Sequence, residues 1–123
     1  MNAIRYLFVA ALAMGCGLAH AVDRDDAQME LAQATTAVQT AERDDAARYA
    51  PADFDEARAM LDTAQRAADS HEWTDVAIYA ERAKVTGDLA SARSRQHRAE
   101  AATAELQRSL DALHGELSAG GES

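Results

Sequence analysis

Residues 51–71 read PADFDEARAMLDTAQRAADSH, and this stretch decides the fold. Phe54, Ala57, Leu61, Ala64, Ala68 and His71 recur at alternating spacings of three and four. Such spacing gathers them on one face of an α-helix, whereas a strand would split them between two faces. Pro51 stands where proline is tolerated, in a first turn, and it biases Ala50 away from helical backbone. Asp53, Asp55 and Glu56 crowd the same end, where the helix dipole favours negative charge. The pattern predicts a helix over residues 52–70.

Toward the N-terminus, Asp23-Arg24-Asp25-Asp26 offers carboxylates to a helix start. Leu31, Ala34, Val38 and Ala41 follow at spacings of three, four and three, which predicts a first helix over about 25–48 that fades across Ala46–Tyr49. Toward the C-terminus, Ser70-His71-Glu72 is a short connection, and Trp73-Thr74-Asp75 opens a third helix with Thr74 as its expected N-cap. Val76, Tyr79, Ala83, Val85/Thr86, Leu89 and Ala92 continue the apolar seam. No proline follows, and only Gly87 interrupts before Gly115. An interior glycine costs about 1 kcal/mol without forbidding a helix.

A third helix over 74–117 is roughly 66 Å long at 1.5 Å per residue, about twice either of the others. Its last twenty or so residues then project beyond the other two helices. That projection carries Leu106, Leu110, Leu113 and Leu117, spaced four, three and four. Four leucines in a heptad ladder are not expected to face water on an isolated helix. Residues 118–123, SAGGES, read as a disordered tail. The fold class is therefore all-α: a three-helix antiparallel bundle or helical hairpin with an extended, coiled-coil-like third helix. Composition agrees. There are 31 alanines among 123 residues, one proline and 5% aromatics, which is poor in what sheets need and too rich in helix formers for disorder.

The first residues read as an address. Met1–Arg5 carries one positive charge, Tyr6–Met14 is apolar, and Ala19-His20-Ala21 places small residues at −3 and −1 of a cleavage site. These parts predict a signal peptide over 1–21, cleaved after Ala21, a periplasmic location and a single helical domain over 22–117. The apolar run is about half of what a membrane span needs, so no transmembrane span is expected in the mature chain. Leu12-Ala13-Met14-Gly15-Cys16 offers an alternative, since it resembles a lipoprotein box that would anchor the chain at Cys16. Its leucine sits one position too far back, and Met14 stands where a small residue is usual. Cleavage after Ala21 removes the one cysteine, so no disulfide is expected. The formal charge is −9, and the leader takes a further positive charge, Arg5, with it. Such acidity argues against binding a nucleic-acid backbone.

The stretches Tyr49-Ala50-Pro51-Ala52-Asp53-Phe54, Ala57-Arg58-Ala59-Met60-Leu61 and Trp73-Thr74-Asp75-Val76-Ala77-Ile78-Tyr79-Ala80-Glu81-Arg82-Ala83 resemble a family of uncharacterised alanine-rich envelope proteins of Gram-negative bacteria. That family is a domain of unknown function found alone or before OmpA-like peptidoglycan-binding domains. The resemblance implies a periplasmic or outer-membrane-associated helical module and supplies no catalytic residues. No OmpA-like domain fits in this chain. The small-residue seams are also similar to tetratricopeptide hairpins, but those need about three repeats to be stable.

No constellation for chemistry emerges. His97 with Glu100, and Asp111 with His114, sit three apart, without the further inward glutamates of di-metal bundles. Ser70, Ser91, Ser94 and Ser109 lack a nucleophile elbow, and no glycine-rich phosphate loop exists. Asp23, Asp25 and Asp26 lack the spacing of a calcium loop. Arg93, Arg95 and Arg98, with His97, form a basic cluster, although Arg93 and Arg95 lie about 200° apart on a helix. No enzyme, cofactor or metal site is therefore expected. The expected function is non-enzymatic: an envelope protein acting through a protein partner or self-association. Leu106, Leu110, Leu113, Leu117 and Trp73 are the candidate contact residues. The alternative is a small acidic cation-binding or stress-buffering module.

Overall fold

A computed structural model of the chain describes residues 21–122. The leader and the Cys16 anchor therefore fall outside the described residues, apart from Ala21. Four helices follow one another: α1, Arg24–Arg43; α2, Ala46–Tyr49; α3, Pro51–Asp69; and α4, Trp73–Gly120. The fold is all-α.

α1 begins after Asp23, with Asp25 and Asp26 in its first turn. It ends earlier than its periodicity predicts. Asp45 adopts left-handed backbone, φ 61°, and separates α1 from the single turn of α2. Aspartate tolerates this conformation better than most residues. Pro51 occupies the first turn of α3, as predicted.

The turn between α3 and α4 is a Schellman motif built on His71, φ 62°. The His71 amide donates to the Ala68 carbonyl and the Glu72 amide to the Ala67 carbonyl, each at 3.0 Å. This geometry starts α4 at Trp73, with Glu72 at the cap position and no side-chain cap. The expectation that Thr74 is the N-cap is therefore corrected: Thr74 lies inside the first turn. The tail is corrected as well, because α4 runs on to Gly120. Ser118 supports that last turn by donating its hydroxyl to the His114 carbonyl at 2.8 Å.

Consecutive long helices alternate in direction, so α1 and α4 run parallel. Gln33 meets Lys84 and Asp44 meets Ser91, while in the antiparallel pair Met60 meets Thr86 and Asp53 meets Arg93. α1 and α3 pack chiefly on α4 and less on each other.

The core is made of small residues. Ala34, Val38 and Ala41 of α1 are buried, as are Phe54, Ala57 and Ala64 of α3, in line with the predicted stripes. Leu31, Leu61 and Ala68 are half-buried, while His71 is exposed. On α4 the prediction holds at Val76 and Ala83, with Tyr79 and Thr86 half-buried, and is corrected elsewhere. The buried seam is Val76, Ala80, Ala83, Gly87, Ala90 and Ser94, at spacings 4-3-4-3-4. Val85, Leu89 and Ala92 are exposed instead. The cause is close approach. A Cβ on Gly87 would stand 3.2 Å from the Ala37 carbonyl carbon and the Val38 nitrogen. No leucine fits a seam that two helices approach so nearly, so the larger residues turn outward.

Candidate functional site

The buried part of α4 ends at Ser94. Beyond it every described residue is exposed through Glu122. α4 spans 48 residues, against 20 for α1 and 19 for α3, so its C-terminal half overhangs the bundle as expected. Leu106, Leu110, Leu113 and Leu117 lie on this overhang, and Leu106 and Leu117 are 67% and 75% exposed. Exposed apolar side chains scattered singly are ordinary, but a ladder at heptad spacing is a patch.

The ladder does not stop where the overhang meets the bundle. Counting back from Leu106 in the same four–three frame gives Thr103, Ala99, Gln96, Ala92, Leu89 and Val85, all exposed. At about 100° per residue this stripe lies opposite the buried seam. α4 therefore presents two faces. One of alanine, glycine and serine packs on α1 and α3, and the other, of leucine, valine and alanine, is open. One step further back the frame reaches Arg82, whose guanidinium lies over the Tyr79 ring at 5.9 Å, and then exposed Ile78. The sequence reading placed Val85 and Leu89 in the core and so missed this continuity. Their phase relative to Leu106 carried the signal.

Trp73 sits away from this stripe. It is half-buried at the α3–α4 turn, packed on the cluster of Ala27, Ala67 and Val76. His71 meets its ring edge-on at 5.6 Å, and the Arg24 guanidinium lies over it at 5.5 Å. These contacts fasten the bundle end. The structure does not bring Trp73 together with the leucines.

The basic cluster divides between the two neighbouring helices. Arg93 reaches both carboxylate oxygens of Asp53 on α3, at 2.6 and 2.8 Å. Arg95 approaches the Asp44 carboxylate beyond α1 at 3.4 Å and donates to Ser91 at 3.1 Å. Ser91 and Ser94 are buried and donate their hydroxyls to the Asp44 carboxylate and the Asp44 carbonyl. This clamp secures the chain where α1 ends. Sequence alone gave these serines no special role.

Among the described residues, no group of three or more His, Cys, Asp and Glu side chains is placed to hold a metal ion. Asp25 and Asp26 stand in the first turn of α1, with Asp23 at its cap position. Glu100 accepts from Gln96 Nε2 at 2.9 Å and lies 3.1 Å from His97 Nδ1, and these bonds hold its carboxyl below the ordinary glutamate range. No helix among the described residues is long and apolar enough to cross a membrane. The surface depressions of the bundle are open grooves between helices, such as that lined by Gln33, Ala37, Lys84 and Asp88.

Over residues 29–106 the sequence matches the family described as Domain of unknown function (DUF4398). The chain belongs to this family. The DUF4398 match covers most of α1, all of α2 and α3, and α4 as far as the first leucine of the ladder. Leu110, Leu113 and Leu117 lie beyond it. No match is found among curated proteins or among solved structures.

Proposed function

We propose that this DUF4398 protein is a non-enzymatic helical module of the bacterial cell envelope that works by helix-face recognition. One observation carries the reading: the open Leu106–Leu117 ladder on the part of α4 that no other helix of the bundle covers. An amphipathic helix face with anchors at heptad spacing is a surface that another helix can engage. The envelope location rests on the leader-like order of residues 1–21 and on the resemblance to alanine-rich envelope proteins. The mature N-terminus is then Val22, and a lipidated Cys16 is the alternative.

The test is the double variant Leu110→Glu with Leu113→Glu, made in the full chain and expressed in cells. A photo-crosslinking residue at position 106 reads what lies against the ladder. Both substituted side chains sit on the exposed overhang, so thermal unfolding of the bundle in dilute protein should be unchanged. Loss of both crosslinking and self-association in the variant is the expected result. Unchanged crosslinking and unchanged solution mass would sink the reading.

A further inference from the structure

We infer that the open face of α4 is a homodimer seam, in which a second copy pairs in parallel and in register along Val85–Leu117. This rests on the reading of the ladder as a recognition surface and commits it to one occupant. The frame Val85, Leu89, Ala92, Gln96, Ala99, Thr103, Leu106, Leu110, Leu113, Leu117 holds without a stutter and contains no charged residue. A strict period of 3.5 sustained over such a length is the pattern of a left-handed two-helix coiled coil.

Three further observations select a second copy in this orientation. The first is layer matching. In parallel register each ladder leucine meets its own counterpart, giving four Leu–Leu layers. In an antiparallel pair centred on the ladder the leucines also match, Leu106 with Leu117 and Leu110 with Leu113. The stripe from Val85 to Ala99 then finds no counterpart within α4, which ends at Gly120, whereas the parallel register pairs every position of the stripe.

The second is charge. The residues flanking the seam pair across a parallel dimer as Arg95 with the second copy's Glu100, Ala102 with Gln107, Ser109 with His114, and Glu116 with Gly121. The Arg95–Glu100 pair unites opposite signs, and it occurs twice by symmetry. No like charges meet. Residues 95–117 carry three arginines and four acids, close to neutral in a chain of net charge −9. Gln96 and Thr103, seven residues apart, give the seam two polar layers, and a polar layer is a device that fixes register in parallel coils.

The third is area. A stripe of 32 residue steps is about 48 Å long and about 10–12 Å wide, so two copies bury roughly 1,000–1,200 Å². That reaches the size of a specific interface. The bundle does not obstruct the pairing, because α1 and α3 pack on the opposite face of α4.

The experiment uses protein purified from cells expressing the full chain, with mass read by light scattering after size exclusion across concentration. The wild type should be a dimer, and Leu110→Glu a monomer with its bundle unfolding intact. Arg95→Glu or Glu100→Arg alone puts like charges on the seam and should weaken pairing roughly tenfold. An equimolar mixture of the two restores opposite signs at both sites and should recover the dimer. Glu100→Arg lies on the overhang, so it reads the seam even where Arg95→Glu, which also leaves Asp44, loosens the bundle. A dimer indifferent to Glu100→Arg, or not rescued by mixing, overturns the parallel register. A monomer at every concentration overturns the homodimer. If position 106 of that monomer still crosslinks a different chain in cells, the recognition reading survives the loss of the homodimer, and if it crosslinks nothing, both fall.

Discussion

Gly87 of α4 packs directly on the backbone of Ala37 in α1, leaving 3.2 Å between the Ala37 carbonyl carbon and the place a Cβ would occupy. Two effects oppose each other when alanine replaces this glycine. Helix propensity gains about 1 kcal/mol. Overpacking against a backbone that cannot swing aside costs about 1–3 kcal/mol. We expect the steric cost to win, so that Gly87→Ala lowers the unfolding midpoint by several degrees and Gly87→Val by more. Gly115 is the internal control, because nothing lies within 4 Å of a Cβ there. Gly115→Ala should raise helicity by circular dichroism. Equal stabilisation by both substitutions would show that α1 and α4 are not in contact at Gly87.

The Asp44 clamp makes a second expectation. Ser94 is fully buried, and its hydroxyl satisfies the Asp44 carbonyl at the end of α1. Removing the donor leaves a polar group short of a partner, which costs about 1–3 kcal/mol. Ser94→Ala and Ser91→Ala should each destabilise the bundle by about that amount in urea unfolding, whereas Ser109→Ala, on the exposed overhang, should change it by less than about 0.5 kcal/mol. Alanine is otherwise the residue this seam favours, so neutral Ser91→Ala and Ser94→Ala would mean that the hydroxyl bonds do not form in solution.

The physical reach of the sequence is visible in these same residues. Phe54, Ala57 and Ala64 were legible as a buried face because their period matches a helix and their neighbours are charged. The overhang was legible because α4 lacks the proline that bounds α3. What periodicity did not reveal is which of two faces of α4 turns inward. Hydrophobicity points to Val85 and Leu89, but geometry selects Ala83, Gly87 and Ala90, since only small side chains let α1 and α3 approach. The left-handed turn at Asp45 was hidden for a related reason. Asp44 and Asp45 fall inside the first helix as its periodicity predicts it, and the partners of Asp44, namely Ser91, Ser94 and Arg95, are far away in sequence. The ladder residues Leu106–Leu117 were found together, while Trp73 belongs to the opposite end of the bundle.

Glu100 supplies a test that reports local geometry on the overhang. Its carboxyl is held below the usual range first by the Gln96 amide and then by His97. A lowered folded-state value means that these bonds favour the folded helix above the unfolded glutamate value, near 4.3, and that their contribution fades as pH falls through the folded value. Carboxyl-carbon NMR should place the Glu100 midpoint below that of a free glutamate. Gln96→Ala should return it upward by more than His97→Ala does. A reversed order would mean that His97, and not Gln96, is the principal donor.

Hydrogen exchange should divide α4 at Ser94. Residues 76–94 share the stability of the bundle, because their face is covered by α1 and α3. Beyond Arg95, whose guanidinium still reaches Asp44, residues 96–117 are held by bonds within the helix itself and a few surface pairs such as Arg108–Glu105 at 3.1 Å, and an isolated helix of this length is marginal in water. In dilute protein the amides of residues 97–117 should therefore exchange close to the rate of a fraying helix. Pairing along the Leu106–Leu117 ladder changes this, because opening the helix then also exposes the buried leucines. Protection on the overhang should rise steeply with protein concentration, while protection at Ala80, Ala83 and Ala90, already covered by α1 and α3, starts high and rises only as far as opening there also breaks the seam at Val85, Leu89 and Ala92. Leu110→Glu should abolish the concentration dependence and leave the bundle amides at the protection they have in dilute protein. Strong protection of residues 97–117 at every concentration, in the wild type and the variant alike, would mean that the overhang is covered from within its own chain.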